Sequence, residues 1–167
     1  MVVVIGESAR VDHFSLNGYE RETNPRLKNF DNLFSFEGTS CSCMTYLSVP
    51  CMLTRVTAEN PAAALEETTF ISIFKKLGYR TSWLATQSIR KYLQGYTTKT
   101  IYDELDFLIL PGGSTLFHLN AHDEVLLPYF SEILAKGDKN LIILHTSGSI
   151  RVKLRSRKGF LLQMGLR

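Results

Sequence analysis

The chain has 167 residues, 44% hydrophobic and 21% charged, which suits one domain with a real core and excludes wholesale disorder and fibrous repeats. It contains no apolar run of membrane-spanning length and no charged-then-apolar leader, so neither a membrane span nor an export signal is expected in it as written. The net charge of +3 is unevenly spread: residues 150–167 hold Arg151, Lys153, Arg155, Arg157, Lys158 and Arg167 and no acid, leaving 13 basic against 16 acidic residues in 1–149. The body is therefore mildly acidic, and nucleic-acid binding lacks an electrostatic basis there.

In chain order, Val2–Ile5 is a β-branched run without alternation, which predicts a buried strand ending at Gly6. Asn17-Gly18 signals a turn. Asn24 as N-cap and Pro25 at the first helical position predict a helix with Leu27, Phe30, Leu33 and Phe34 on one face. Residues 39–54 are rich in Ser, Thr and Cys and run into Ser48-Val49-Pro50-Cys51-Met52-Leu53. Phe70, Ile73, Phe74 and Leu77 have the spacing of an amphipathic helix over 69–77, stopped by Gly78. Strands are predicted at 79–85 and 107–110. A helix is predicted at 122–135, with Pro128 either starting its regular part or kinking it. Leu141–Leu144 reads as a second buried strand. Strands alternating with helices predict an α/β fold with a mostly parallel sheet. At Ile150 the chain turns basic and loses turn chemistry, as an out-of-frame end would, a natural basic tail being the alternative.

The cysteines, Cys41, Cys43 and Cys51, share one short window and make no zinc knuckle. Cys41 and Cys51 could close a loop in an oxidising compartment, or all three could be reduced thiols in a cytosolic protein. A Cys41–Cys43 bridge is disfavoured because a one-residue spacer strains the geometry.

Three features could form one site on the carboxyl edge of a parallel sheet. Glu7 follows the first strand, Thr45 stands where the Ser/Thr/Cys segment enters a helix, and His145 ends a later strand. A carboxylate is a hard ligand for a divalent cation. A hydroxyl at a helix N-terminus faces backbone N–H groups suited to phosphate, and a metal beside it makes it a nucleophile. The plainer alternatives are a solvated loop acid and a helix cap.

Gly6-Glu7-Ser8-Ala9-Arg10 with His13, and Leu16-Asn17-Gly18-Tyr19 through Thr23-Asn24-Pro25, resemble the start of the catalytic domain of bacterial phosphoethanolamine transferases, members of the alkaline phosphatase and sulfatase superfamily. Thr39-Ser40-Cys41 through Thr45 to Ser48-Val49-Pro50-Cys51-Met52 is similar to that family's nucleophile segment. Leu144-His145-Thr146-Ser147-Gly148-Ser149 resembles its segment leading to a substrate-site histidine.

The resemblance implies an alkaline-phosphatase/sulfatase-like α/β fold, its sheet sandwiched by helices, with residues 1–149 as the N-terminal part of the catalytic domain, 150–167 as a basic tail and the C-terminal part missing. It implies Glu7 as a zinc ligand and Thr45 as both zinc ligand and nucleophile. It also implies a Cys41–Cys51 disulfide and a free Cys43. Gln87, Ser88 and Lys91 fall where relatives contact the donor head group, a plain surface loop being the alternative. The implied reaction moves phosphoethanolamine from phosphatidylethanolamine to lipid A or another envelope acceptor through a phospho-threonine. The implied place is the periplasmic face of the inner membrane, reached through a membrane region outside this chain; expressed alone, the chain is expected in the cytoplasm. The family's later Asp-His zinc ligands and substrate histidine have no match here, so weak zinc binding and slow or no turnover are expected. A metal-dependent phosphodiesterase and a non-catalytic remnant are the competing readings. A sulfatase activity is disfavoured because Cys51-Met52-Leu53-Thr54-Arg55 lacks the required proline.

Overall fold

The computed structural model describes residues 1–87, 101, 103–111 and 122–148. Four strands, β1 (Val2–Ile5), β2 (Arg80–Ala85), β3 (Phe107–Ile109) and β4 (Asn140–His145), form a parallel sheet in the order β1-β4-β2-β3. The expected α/β class and parallel sheet are present. The central position of β4 explains its unbroken apolar run: Leu141, Ile142 and Ile143 are fully buried because both faces of the sheet are covered.

The faces follow the two-residue period of a strand. Leu141 and Ile143 of β4, with Ile5, Trp83 and Ala85, pack against Val49 and Leu53 of α1 (Thr45–Leu53) and Ile71 of α2 (Phe70–Lys76). Ile142, with Leu84, packs on the other side against Leu126 and against Ile133 of α3 (Leu127–Leu134). Burial of each such side chain contributes about 1.5–3 kcal/mol.

The N-terminus of α2 is fastened by side chains. Thr69 Oγ1 accepts from the Ile71 N–H at 3.2 Å and donates to Glu104 Oε2, while Glu104 Oε1 accepts from the Thr69 N–H at 3.0 Å. The helix stops at Gly78, whose φ of +79° is open to glycine. Pro128 lies in the first turn of α3, so it starts the regular helix rather than kinking it. The preceding stretch Asp123–Leu126 is a 3-10 turn, which shortens the helix expected at 122–135.

The helix expected from Asn24 does not form. Only a 3-10 turn, Leu27–Asn29, appears, and Phe30 and Phe34 are 60% and 77% exposed. Two causes act together. Asn29, Asp31 and Asn32 are poor helix interior residues. No described core cluster includes the apolar side chains that were to drive the helix.

Cys41 and Cys51 are joined in a disulfide with Cα atoms 6.3 Å apart, and Cys43 is an exposed free thiol. The bridge ties the chain entering α1 to the body of that helix. Reduction of the bridge, or Cys51→Ser, is expected to cost about 2–3 kcal/mol through the freer unfolded chain, read as a lower thermal midpoint by circular dichroism. Cys43→Ser should leave the midpoint where it is.

Candidate active site at the carboxyl edge of the sheet

The register of β4 builds the site. Ile5 pairs with His145 across one side and Ala85 pairs with His145 across the other. The chain exits of β1, β4 and β2 are therefore level, and Glu7, Ser147 and Gln87 each follow two residues beyond. Backbone bonds continue the alignment past the strands: Thr146 N–H to Ile5 O at 3.0 Å and Thr86 N–H to His145 O at 3.1 Å.

Glu7 is turned into place by Ser8, a non-glycine residue at φ +56°. That is a sparsely populated conformation, stored beside a functional group. The Ser8 hydroxyl donates to Glu7 Oε1 at 3.2 Å. Thr45 is the first residue of α1, delivered by a polar loop in which Ser40 Oγ donates to Ser42 O at 2.7 Å and meets Ser48 Oγ at 3.0 Å. Met44, the N-cap, offers no side-chain oxygen to the helix N-terminus, which leaves the positive end of α1 open to an anion beside the Thr45 hydroxyl.

The two sites come together. Thr45 Oγ1 donates to Glu7 Oε2 at 3.1 Å, across 38 residues of sequence. Gln87 Nε2 donates to the same oxygen at 3.3 Å, from a side chain only 4% exposed. Gln87 is thus held against the Glu7 carboxylate. Ser88, Lys91, Ser149 and the tail 150–167 lie outside the described residues.

The oxygens of Glu7 and Thr45 are close enough to share one small cation, and an oxygen pair of carboxylate and hydroxyl suits zinc as part of a ligand set. Among the described residues no group of three or more His, Cys, Asp or Glu could hold a metal ion, so this pair alone would supply only part of a tetrahedral set.

His145 sits behind this edge, 3% exposed and edge-on to Trp83 with ring centroids 5.8 Å apart. Burial pushes its imidazole down to about 4, and the Asp123 carboxylate opposes that only in part. Residues not singled out from sequence also shape the site. Ser8 and Gly148 lie inside the segments 6–10 and 144–149 that carry the family resemblance but have no role of their own in it, and the acid at position 123 reads from sequence only as a favourable first-turn residue.

The arrangement defines a class: a parallel α/β protein presenting a threonine hydroxyl at a helix N-terminus beside a carboxylate at a strand end. Residues 1–149 match the family described as Sulfatase, and the chain belongs to that family. It is similar to Kdo(2)-lipid A phosphoethanolamine 7''-transferase of Escherichia coli (strain K12), 34% identical over 154 residues that cover 89% of this chain and 27% of the relative. The zinc complex of the C-terminal periplasmic domain of EcEptC from Escherichia coli superposes with a TM-score of 0.76 at 29% identity, covering 99% of this chain and 48% of that one. The integral membrane lipooligosaccharide phosphoethanolamine transferase A (EptA) of Neisseria meningitidis superposes with a TM-score of 0.69 at 27% identity, covering 89% of this chain and 28% of that one. The alkaline-phosphatase/sulfatase-like fold is thereby established. The chain spans about a quarter of the length of the curated relatives it matches. Among the described residues no helix is long and apolar enough to cross a membrane.

The buried His145 gives the site a pH signature. Its folded value of about 4 lies below the ordinary 6.5, so between those values the unfolded chain binds a proton that the folded chain refuses. Stability contributed by neutral His145 is complete above pH 6.5 and is lost as pH falls toward 4, by up to about 3 kcal/mol. Urea unfolding at pH 7 and pH 4.5 should show this loss, and His145→Phe should reduce the difference.

Proposed function

We propose that this chain carries the nucleophile and part of the zinc site of a phosphoethanolamine transferase. The reading moves phosphoethanolamine from phosphatidylethanolamine to a cell-envelope lipid or glycan such as lipid A, at the periplasmic face of the inner membrane. The observation that carries it is the 3.1 Å hydrogen bond from Thr45 Oγ1 to Glu7 Oε2 at the open N-terminus of α1. Similarity to an enzyme named for phosphoethanolamine transfer to lipid A supports the transferred group and the acceptor class. The Cys41–Cys51 bridge suits an oxidising compartment.

Glu7 and Thr45 would hold the zinc ion. When bound, the ion supplies a lowered hydroxyl pKa and neutralises charge on the phosphoryl oxygens. In the first step Thr45 Oγ1 attacks phosphorus, and the bond from phosphorus to the diacylglycerol oxygen breaks. The hydroxyl proton lies on the hydrogen bond toward Glu7 and ends on the departing oxygen, so diacylglycerol leaves as an alcohol. In the second step an acceptor hydroxyl oxygen attacks the phosphorus of phospho-threonine, the bond from phosphorus to Thr45 Oγ1 breaks, and the acceptor's proton passes to Oγ1, which restores the hydroxyl. Backbone N–H groups of the first turn of α1 face the phosphoryl oxygens in both steps. Gln87 keeps the Glu7 carboxylate directed at Thr45.

With zinc present, a phosphatidylethanolamine analogue labelled in its head group should leave that label on Thr45, located by peptide mass spectrometry. Thr45→Ala and Glu7→Gln should abolish the label. Labelling that persists in Thr45→Ala would overturn the reading. With two ligands from the described residues, zinc affinity is expected to be weak, and a calorimetric titration measures it.

A further inference from the structure

Asp123 opens the short turn before α3. In the fold its carboxylate is a junction between chain segments. Oδ1 accepts from the Thr86 hydroxyl just beyond β2 and from the Ser147 N–H at 2.9 Å, and Oδ2 accepts from the Gly148 N–H at 3.0 Å. The Ser147 N–H also reaches Thr86 Oγ1 at 2.9 Å. Each of these bonds leaves the turn that Asp123 belongs to, so capping that turn does not account for them. Their common effect is to fix the loop leaving β4.

That loop runs directly against Glu7. Gly148, at φ +46°, approaches so closely that a Cβ there would come within 2.9 Å of the Glu7 carbonyl oxygen. Two residues earlier, Thr146 N–H is bonded to Ile5 O at 3.0 Å. A continuous line of contact therefore joins Asp123 to Ser147 and Gly148, then to the Glu7 backbone, and through the Glu7 carboxylate to Thr45.

We propose that Asp123 is a positioning residue for the Glu7–Thr45 pair: it pins the loop after β4 beneath Glu7 and so fixes the direction in which the Glu7 carboxylate meets the Thr45 hydroxyl. The inference deepens the transferase reading and rests on it only for the choice of zinc as a probe. The position needs a carboxylate rather than an amide. All three partners are donors, and a carboxylate accepts from every side. Asparagine would turn an NH2 group toward one of them and leave a donor facing a donor.

The test uses the isotope-labelled chain and Asp123→Asn, with Glu132→Gln on the exposed face of α3 as control. Two quantities are read at a temperature where circular dichroism shows each protein folded: zinc affinity, with zinc ion alone as titrant, and the amide resonances of Gly6, Glu7 and Thr45. Asp123→Asn should weaken zinc binding by about tenfold, as loss of support behind a metal ligand does, and should shift all three resonances. Glu132→Gln should change neither. A merely structural Asp123 would lower the melting point yet leave zinc affinity and the Glu7 and Thr45 resonances at parent values, and that result overturns the proposal. If the parent takes up no zinc, the metal part of the proposed function fails, and the resonances alone decide whether Asp123 acts on the pair. Should Asp123→Asn not fold, Asp123→Glu keeps the charge, moves it by one methylene, and is read by the same two measurements.

Discussion

The in-register parallel pairing of β4 between β1 and β2 is the constraint on which the site depends. His145 is level with Ile5 on one side and with Ala85 on the other. Residues 7, 87 and 147 consequently emerge at one height on one edge, although they are far apart in sequence. A slip of one residue would turn the apolar side chains of β4 from one helix layer to the other and would separate the loops. The present register places Leu141 and Ile143 in one apolar layer and Ile142 in the other. The hydrophobic core thus sets the geometry of a polar site it does not touch.

At that edge the Glu7 carboxylate gathers donors. Ser8 reaches one oxygen, while Thr45 and Gln87 reach the other. Each bond is modest in net free energy, about 0.5–1.5 kcal/mol, but together they restrict the carboxylate to one direction. This is preorganisation in the ordinary sense, with the ordering completed on folding rather than at the moment of reaction. The positive φ of Ser8 and the close passage of Gly148 are the conformational costs of bringing two backbones so near each other. The disulfide acts on the opposite partner, anchoring the segment that delivers Thr45.

Much of the fold was legible before any coordinates. The apolar run at β4, the presence of a helix at α2 and the order of strands and helices follow from local patterning. In contrast, β1, expected buried, is an edge strand with Val2 and Val4 exposed, and α2 buries Ile71 rather than Ile73 and Leu77. The pattern misled at Leu27–Phe34, where helical spacing occurs without a surface to pack against. Periodicity states what a helix would bury, and burial itself requires a partner. The same limit explains α3, where Pro128 sets the start of regular helix later than the apolar pattern begins.

The site divides along the same line. Glu7, Thr45 and the Cys41/Cys51 pair stand out in the sequence because each belongs to a short contiguous motif, and the chemistry of a carboxylate, a hydroxyl and a thiol is intrinsic to the residue. The contact between Glu7 and Thr45, the turning of Gln87 onto Glu7, and the role of Asp123 were decided only by tertiary structure. Those relations join segments 24 to 80 residues apart, and hydrogen-bond direction over such separations is set by strand register and helix placement, which no local stretch of sequence encodes. The sequence by itself determined which groups are available for chemistry, and the packing of the sheet determined which of them meet.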